Sequence, residues 1–283
     1  MKYTRAGLLY HPRDPAALAL SEMLRDTVLN SLRGTWLAET GDEATVARHI
    51  GSTDLLVCIG GDGTVLWAAR TAAPHPVPIV SINKGRLGFL SELNVDDAPA
   101  TLAAVLDGAG FIEERAMVEC ELQTGGDSTA RPLIGLNDIV VGRAAPGRPV
   151  YLSIAVDGVH LARIRGDAMI VSTATGSTAY NLSAGGPVLM PQSRELLLTP
   201  VAPHLSRMRP IVLPPESMVE IRVEGEHGAI VSIDGQVDQP LTNGCSVATK
   251  LSQQVARFVR LGPPSDFFQK LAQHLNLSTQ REE

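Results

Sequence analysis

The chain has 283 residues, 44% of them hydrophobic, and a formal net charge of −6, so it can bury a substantial core as one large domain or two ordinary ones. The acidic balance argues against a nucleic-acid partner, because neutralising phosphates needs a basic face. No apolar stretch reaches the ~20 residues of a membrane helix, and the opening MKYTRAGLLYHPRD meets a proline and charges before a signal-peptide core can form. A cytoplasmic protein with no membrane partner is expected.

In chain order, strand and helix signals first alternate. AGLLY precedes a helical pattern over 15–32, TWLAE one over 42–50, DLLVCIG one over 65–73, and VPIVSIN one over 97–107. Such alternation gives a parallel, Rossmann-like sheet wrapped by helices. Beyond this point short β-rich runs follow one another: AMVECELQT, LIGLNDIVVG, VYLSIAVDGVHLARIRG, SMVEIRVEG, AIVSIDGQV and QVARFVRLG. Asp157-Gly158 and Asp234-Gly235 lie between alternating runs, a strong hairpin signal. The end, PPSDFFQKLAQHL, offers Ser265 as a helix cap and sets Phe267, Phe268, Leu271 and Leu275 on one face, which needs an apolar partner back on the first domain. The expected fold is thus an α/β domain, residues 1–108 with 265–283, and an all-β, sandwich-like domain, residues 109–264. Cys58, Cys120 and Cys245 lie far apart in strand-like surroundings and read as reduced core residues. The seven histidines show no paired spacing, and no residue is assigned to a metal.

One stretch carries chemistry. In LLVCIGGDGTVLWAAR, residues 55–70, a buried strand ends at Ile59, Gly60 to Gly63 form the turn at its carboxyl end, and Thr64 is placed to cap the next helix. Ligands of open α/β sheets bind at that edge, where glycines admit close approach and helix-terminal amides attract anionic oxygens. The turn fits neither the dinucleotide fingerprint nor the lysine-bearing phosphate loop, and Asp62 stands where extra negative charge is unwelcome. Either Asp62 caps the helix or hydrogen-bonds its own turn, as Asp often does, or it is a general base beside a phosphate site. Elsewhere, hydroxyl residues and glycines surround Tyr180 in TATGSTAYNLSAGGP, suiting a flat nucleotide ring or simply a Gly-rich turn. Asn137 and Asp138 end an apolar run, where they can bond an adenine edge and ribose hydroxyls or form an Asx turn.

GGDGT resembles the signature shared by NAD kinases, diacylglycerol and sphingosine kinases, and 6-phosphofructokinases. Four further stretches are similar to NAD kinases: NKGRLGFL at 83–90, LND at 136–138, STATGSTAYNLSAGGPVLMP at 172–191 and SIDGQ at 232–236, with RPIVLP at 209–214 extending the coverage. The resemblance implies phosphoryl transfer from ATP, or from inorganic polyphosphate, to the 2′-hydroxyl of the adenosine ribose of NAD, giving NADP, with a divalent metal such as Mg²⁺ shielding the donor phosphates. It implies Asp62 as general base, with Asp62 and Gly63 also contacting substrate. It implies substrate contacts at Asn137, Asp138, Asp167, Thr178, Ala179, Tyr180, Ser183 and Gln236, and basic contacts at Arg148 and Arg165, while Arg70 either reaches a donor phosphate or stays on the helix surface. It also implies a substrate site between the domains and a homodimer or homotetramer. Two positions depart from the family: Ala168 stands where glycine usually follows Asp167, and Ala174 where proline is usual, which puts local backbone shape in question. Two rival readings remain, a lipid kinase sharing GGDGT and a non-catalytic NAD sensor.

Overall fold

The computed structural model describes residues 3–83, 88–124, 127–128 and 132–275. It divides into two compact units, Met1–Glu114 with Ala256–Glu283, and Arg115–Val255. The boundaries read from composition fall inside the first unit. The chain passes between units within two single long strands, Phe111–Thr124 and Ser246–Arg260, and composition marks where helices stop rather than where a strand changes neighbours.

The first unit contains β1 (Arg5–Tyr10), α1 (Pro15–Thr27), β2 (Gly34–Glu39), α2 (Glu43–His49), β3 (Leu55–Ile59), α3 (Asp62–Ala72), β4 (Pro78–Asn83), β5 (Leu93–Asn94) and α4 (Ala98–Leu106). Its strands pair in parallel in the order β2-β1-β3-β4-β5. Every residue of β3 and β4 is buried, as expected of parallel strands covered on both faces. The Asp14 side chain accepts the amides of Ala16 and Ala17, and Pro15 opens α1, a start that the sequence specifies directly. The helix ends at Thr27, short of the pattern running to 32: Thr27 Oγ1 takes the Met23 carbonyl and Asn30 Nδ2 the Asp26 carbonyl, side-chain bonds that compete with continued helix. Leu29 nevertheless stays in the core, which is why the apolar periodicity overran the helix.

The second unit follows with β6 (Phe111–Thr124), β7 (Asp127–Ser128), β8 (Leu133–Gly135), β9 (Asp138–Arg143), β10 (Val150–Val156), β11 (Val159–Gly166), β12 (Ala168–Ser172), the one-turn α5 (Tyr180–Ser183), β13 (Leu196–Val201), β14 (Ile211–Leu213), β15 (Val219–Glu224), β16 (Ala229–Ile233), β17 (Val237–Leu241) and β18 (Ser246–Arg260). One antiparallel sheet runs β14-β13-β12-β9-β16-β17, and a second antiparallel set runs β11-β10-β15-β18. Ile139, Val171, Leu198 and Val231 of the first meet Leu152, Ile164, Ile221 and Val247 of the second in one core, the sandwich expected of alternating strands. Both Asp-Gly pairs turn hairpins: Asp157 and Gly158 have φ of 51° and 77°, and Asp234 and Gly235 have 52° and 63°, left-handed at both central positions as a mirror-image turn requires.

The last helix, α6 (Asp266–His274), belongs to the first unit. Phe89 lies with its ring centroid 6.0 Å from Phe267 and 4.3 Å from that of His274, so the helix does pack back on the α/β unit. Ser265 occupies the cap position without a side-chain cap bond, and Phe268 faces solvent instead of sharing the apolar face. Cys58, Cys120 and Cys245 are free and buried. Among the described residues no helix is long and apolar enough to cross a membrane.

Candidate active site

The Gly-Asp-Gly turn sits at the carboxyl end of β3, in a sheet whose order reverses direction at β1, so it lies beside the switch point where ligands of such sheets bind. Gly60, at φ +156°, is held so close to Thr64 that a Cβ would collide with its hydroxyl. The helix begins at Asp62, earlier than the sequence suggests, because extended Gly61 takes the N-cap position. Thr64 is therefore a buried residue inside α3 and not its cap. An acidic residue in the first turn suits the helix dipole.

Asp62 does not cap anything. Its carboxylate accepts the Leu90 amide, while its buried Oδ1 has no hydrogen-bond partner among the described residues. Gly88 approaches so closely that a Cβ there would strike the same oxygen; the motif NKGRLGFL thus supplies a glycine for a steric reason, although its residues 84–87 lie outside the described ones. Burial pushes the Asp62 carboxyl above its ordinary range, opposed by the charge of His274, the Leu90 amide and the charge of Lys270. A desolvated carboxylate with an unused lone pair is equipped to take a proton. Gly63 follows it on the exposed helix start, and Arg70 is half-buried two turns along α3.

In the second unit, three of the motifs meet at one junction. The Asp234 carboxylate accepts three successive amides, those of Leu136 (2.8 Å), Asn137 (2.7 Å) and Asp138 (3.1 Å). Thr173 donates to the Leu136 carbonyl at 2.6 Å, and its Oγ accepts the Gly176 amide at 3.1 Å. Gly176 packs so tightly on the Asn137 carbonyl that no side chain fits. LND, STATG and SIDGQ are therefore one hydrogen-bonded unit. Asp138 is only 5% exposed, and burial, followed by the charge of Asp234, pushes its carboxyl up to about 7. Asn137 is half-buried beside it and Gln236 exposed on the adjoining turn.

Thr178 and Ala179 are half-buried, and Tyr180 (43% exposed) and Ser183 face solvent on α5. Their loop is pinned by Asn181, fully buried, which donates to the carbonyls of Ser177 (3.0 Å) and Pro187 (2.9 Å) and accepts from Thr199 (2.7 Å). Arg165 lies on β11 with its guanidinium 5.8 Å from the Tyr151 ring centroid, Arg148 is exposed with Nη1 3.4 Å from His227 Nε2, and Asp167 pairs with Arg143 at 3.5 Å. Ala168 is accommodated because its strand neighbour is Gly142; Ala174 is buried in the turn before Ser177. Sequence reasoning missed the anchoring roles of Asp234, Thr173 and Asn181. An Asp in a hairpin turn is already explained by its tolerance of positive φ, so nothing local pointed to a second role. Among the described residues no group of three or more His, Cys, Asp and Glu side chains could hold a metal ion.

A desolvated carboxylate at the edge of a parallel sheet, in one chain with a β unit built around polar junctions, fits a phosphotransferase acting on a hydroxyl. A family model of the ATP-NAD kinase N-terminal domain matches residues 7–110, and one of the C-terminal domain matches residues 136–261. An NAD kinase of Dehalococcoides mccartyi is 36% identical over 269 residues, covering 95% of both chains. The crystal structure of an Archaeoglobus fulgidus NAD kinase in complex with ATP is similar at a TM-score of 0.75 and 30% identity, over 94% of this chain and 98% of that one. The yeast NADH kinase complexed with NADH shares the fold, with a TM-score of 0.84 at 23% identity over 99% of this chain and 89% of that one. The chain belongs to the NAD kinase family.

Proposed function

We propose that this enzyme phosphorylates the 2′-hydroxyl of the adenosine ribose of NAD with ATP, or inorganic polyphosphate, as donor, and that Asp62 is the general base. The observation that carries the role of Asp62 is its buried Oδ1, unpartnered among the described residues, at the start of α3. The hydroxyl O–H bond breaks with its proton passing to Asp62, the oxygen forms a bond to the terminal phosphorus, and the bond from that phosphorus to the departing ADP oxygen breaks. Holding acceptor and donor in line supplies much of the rate in such transfers. A divalent ion such as Mg²⁺ would supply charge neutralisation for the donor phosphates; no side chain is assigned to it.

In the second unit, Asn137, Asp138 and Gln236 would face the dinucleotide, with Thr178, Ala179, Tyr180 and Ser183 along the loop that Asn181 pins. Asp167, Arg148 and Arg165 are proposed as further polar and phosphate contacts, guanidinium being suited to bidentate phosphate pairing. Exposed Val159, Leu161 and Leu205 support a homodimer or homotetramer, and light scattering on the purified protein tests it. The resemblance to the family favours a cytoplasmic enzyme, which fractionation would check.

The deciding experiment gives the protein NAD, Mg²⁺ and either ATP or polyphosphate, and detects NADP with an NADP-specific dehydrogenase. NADP from the parent and none from Asp62→Asn is the expected result. Folded parent that yields no NADP with either donor overturns the proposal; phosphorylated diacylglycerol would then favour the lipid kinase, and saturable NAD binding without product the sensor.

A further inference from the structure

The segment Gly88–Glu92 forms a strap whose inner side touches the proposed base and whose outer side is held by the C-terminal part of the chain. On the inner side Gly88 abuts the Asp62 carboxylate and Leu90 donates its amide to it. Ser81 of β4 donates to the Leu90 carbonyl at 2.7 Å, and the Glu92 amide returns to the Ser81 carbonyl at 3.1 Å. On the outer side, Arg260 reaches the same Leu90 carbonyl at 3.3 Å and the Glu92 carboxylate at 2.8 Å while its Nε bonds Glu113 at 3.0 Å. All three side chains of this ion cluster are almost completely buried, so the strap is anchored by charges that cannot swing into water without leaving partners unpaired.

The C-terminal helix completes the clamp. Lys270 Nζ donates to the Ser91 carbonyl at 2.8 Å, and Phe89 is gripped between Phe267 and His274. Among the described residues, the charged groups acting on Asp62 are His274 and Lys270, both from α6; its own helix carries only Arg70 as a further charge. A cation beside a desolvated carboxylate favours the ionised, proton-accepting form.

We propose that α6 is a positioning element for the catalytic base: Lys270 and His274, acting with Phe89 across the strap, hold Asp62 in place and supply the positive charge that keeps it ready to accept a proton. This inference rests on the reading of Asp62 as the base. Neither Lys270 nor His274 needs to touch substrate, and both act through Asp62.

The test is the pH dependence of kcat and kcat/KM for NAD in Lys270→Met, His274→Gln and the double variant, with Lys270→Arg and Phe89→Leu as companions and Asp62→Asn in parallel. Removing a cation raises the affinity of Asp62 for its proton, so the acid limb moves to higher pH. The expected result for the double variant is an acid limb displaced upward by about one pH unit and kcat reduced about tenfold at neutral pH, with KM for NAD within about twofold of the parent. Lys270→Arg keeps donor and charge and retains the parent limb, whereas Phe89→Leu lowers kcat without displacing it. A double variant with the parent's limb and kcat overturns the proposal, as does one whose loss lies wholly in KM. Should Lys270→Met not fold, judged by circular dichroism, His274→Gln decides alone, because that side chain is exposed. Full turnover in Asp62→Asn would remove the base itself and the inference with it, while a dead Asp62→Asn beside parent-like α6 variants overturns only the inference.

Discussion

Asp62 and Asp234 are each followed by glycine, yet the two units use them in opposite ways. In the β unit, Asp234 spends its carboxylate on three backbone amides of the LND segment; it is a structural anchor, and its neighbours gain a fixed geometry. In the α/β unit, Asp62 receives the Leu90 amide and keeps a buried oxygen unpartnered among the described residues. A buried polar atom without a partner costs stability, and such a cost is what a reactive group carries. The contrast teaches that the dipeptide says little and the number of amides aimed at the carboxylate says much.

The comparison can be broken by exchanging what each carboxylate has. Asp62→Asn should cut turnover on the order of 10²–10⁴-fold, the range for loss of a general base, with NAD affinity by titration calorimetry close to the parent's. Asp234→Ala strands three amides, two of them buried and one half-buried, and should cost about 3 kcal/mol in denaturant unfolding, with KM for NAD rising before kcat falls. An Asp234 variant with parent stability would mean that the three bonds do not anchor the junction. Gly88→Ala drives a methyl against the Asp62 carboxylate and should lower kcat about tenfold, an overpacking cost of roughly 1–2 kcal/mol, while leaving KM for NAD unchanged.

A smaller effect sharpens the contrast through pH. Burial and the charge of Asp234 raise the Asp138 carboxyl to about 7, so the folded state holds that proton more tightly than the unfolded chain. The stability it contributes is complete below the ordinary carboxylate range and is lost as pH rises toward about 7. Thermal midpoints measured from pH 5 to pH 8 should therefore show Asp138→Asn gaining on the parent by about a few degrees as pH rises; a constant gap would contradict the shift. The smallest change is expected at the third Asp-Gly pair. Asp157 accepts the Met218 amide at 2.8 Å in an exposed hairpin, and Asp157→Asn, which keeps an oxygen acceptor and tolerates positive φ, should alter stability by less than about 1 kcal/mol.

Much of the fold was legible because it rests on short-range rules. Alternation and helical spacing separated a parallel α/β region from an antiparallel β region, and the Asp-Gly pairs located two hairpins by the one backbone conformation that both residues tolerate. Where local reading failed, a longer-range contact had intervened. Leu29 and Leu32 extended the apparent helix because the core claims Leu29 after the helix has ended, and Thr64 looked like a cap because nothing local shows that Gly61 is extended. The candidate base was visible as a carboxylate out of place in a glycine turn.

By itself, then, the sequence determined the two kinds of architecture, the position of the candidate base and, through five separated motifs, the family resemblance; these depend on periodicity, turn chemistry and residue type, all properties of neighbours in the chain. Only the tertiary structure decided that the Asp234 carboxylate is satisfied while one oxygen of Asp62 is left without a partner among the described residues. It also decided that Gly88 touches Asp62, that Asp234 ties LND to its hairpin, and that the charges of Lys270 and His274 act on Asp62 from a helix some two hundred residues further along the chain. Burial and hydrogen-bond partnership are set by residues distant in sequence, and a side chain's chemistry follows from them.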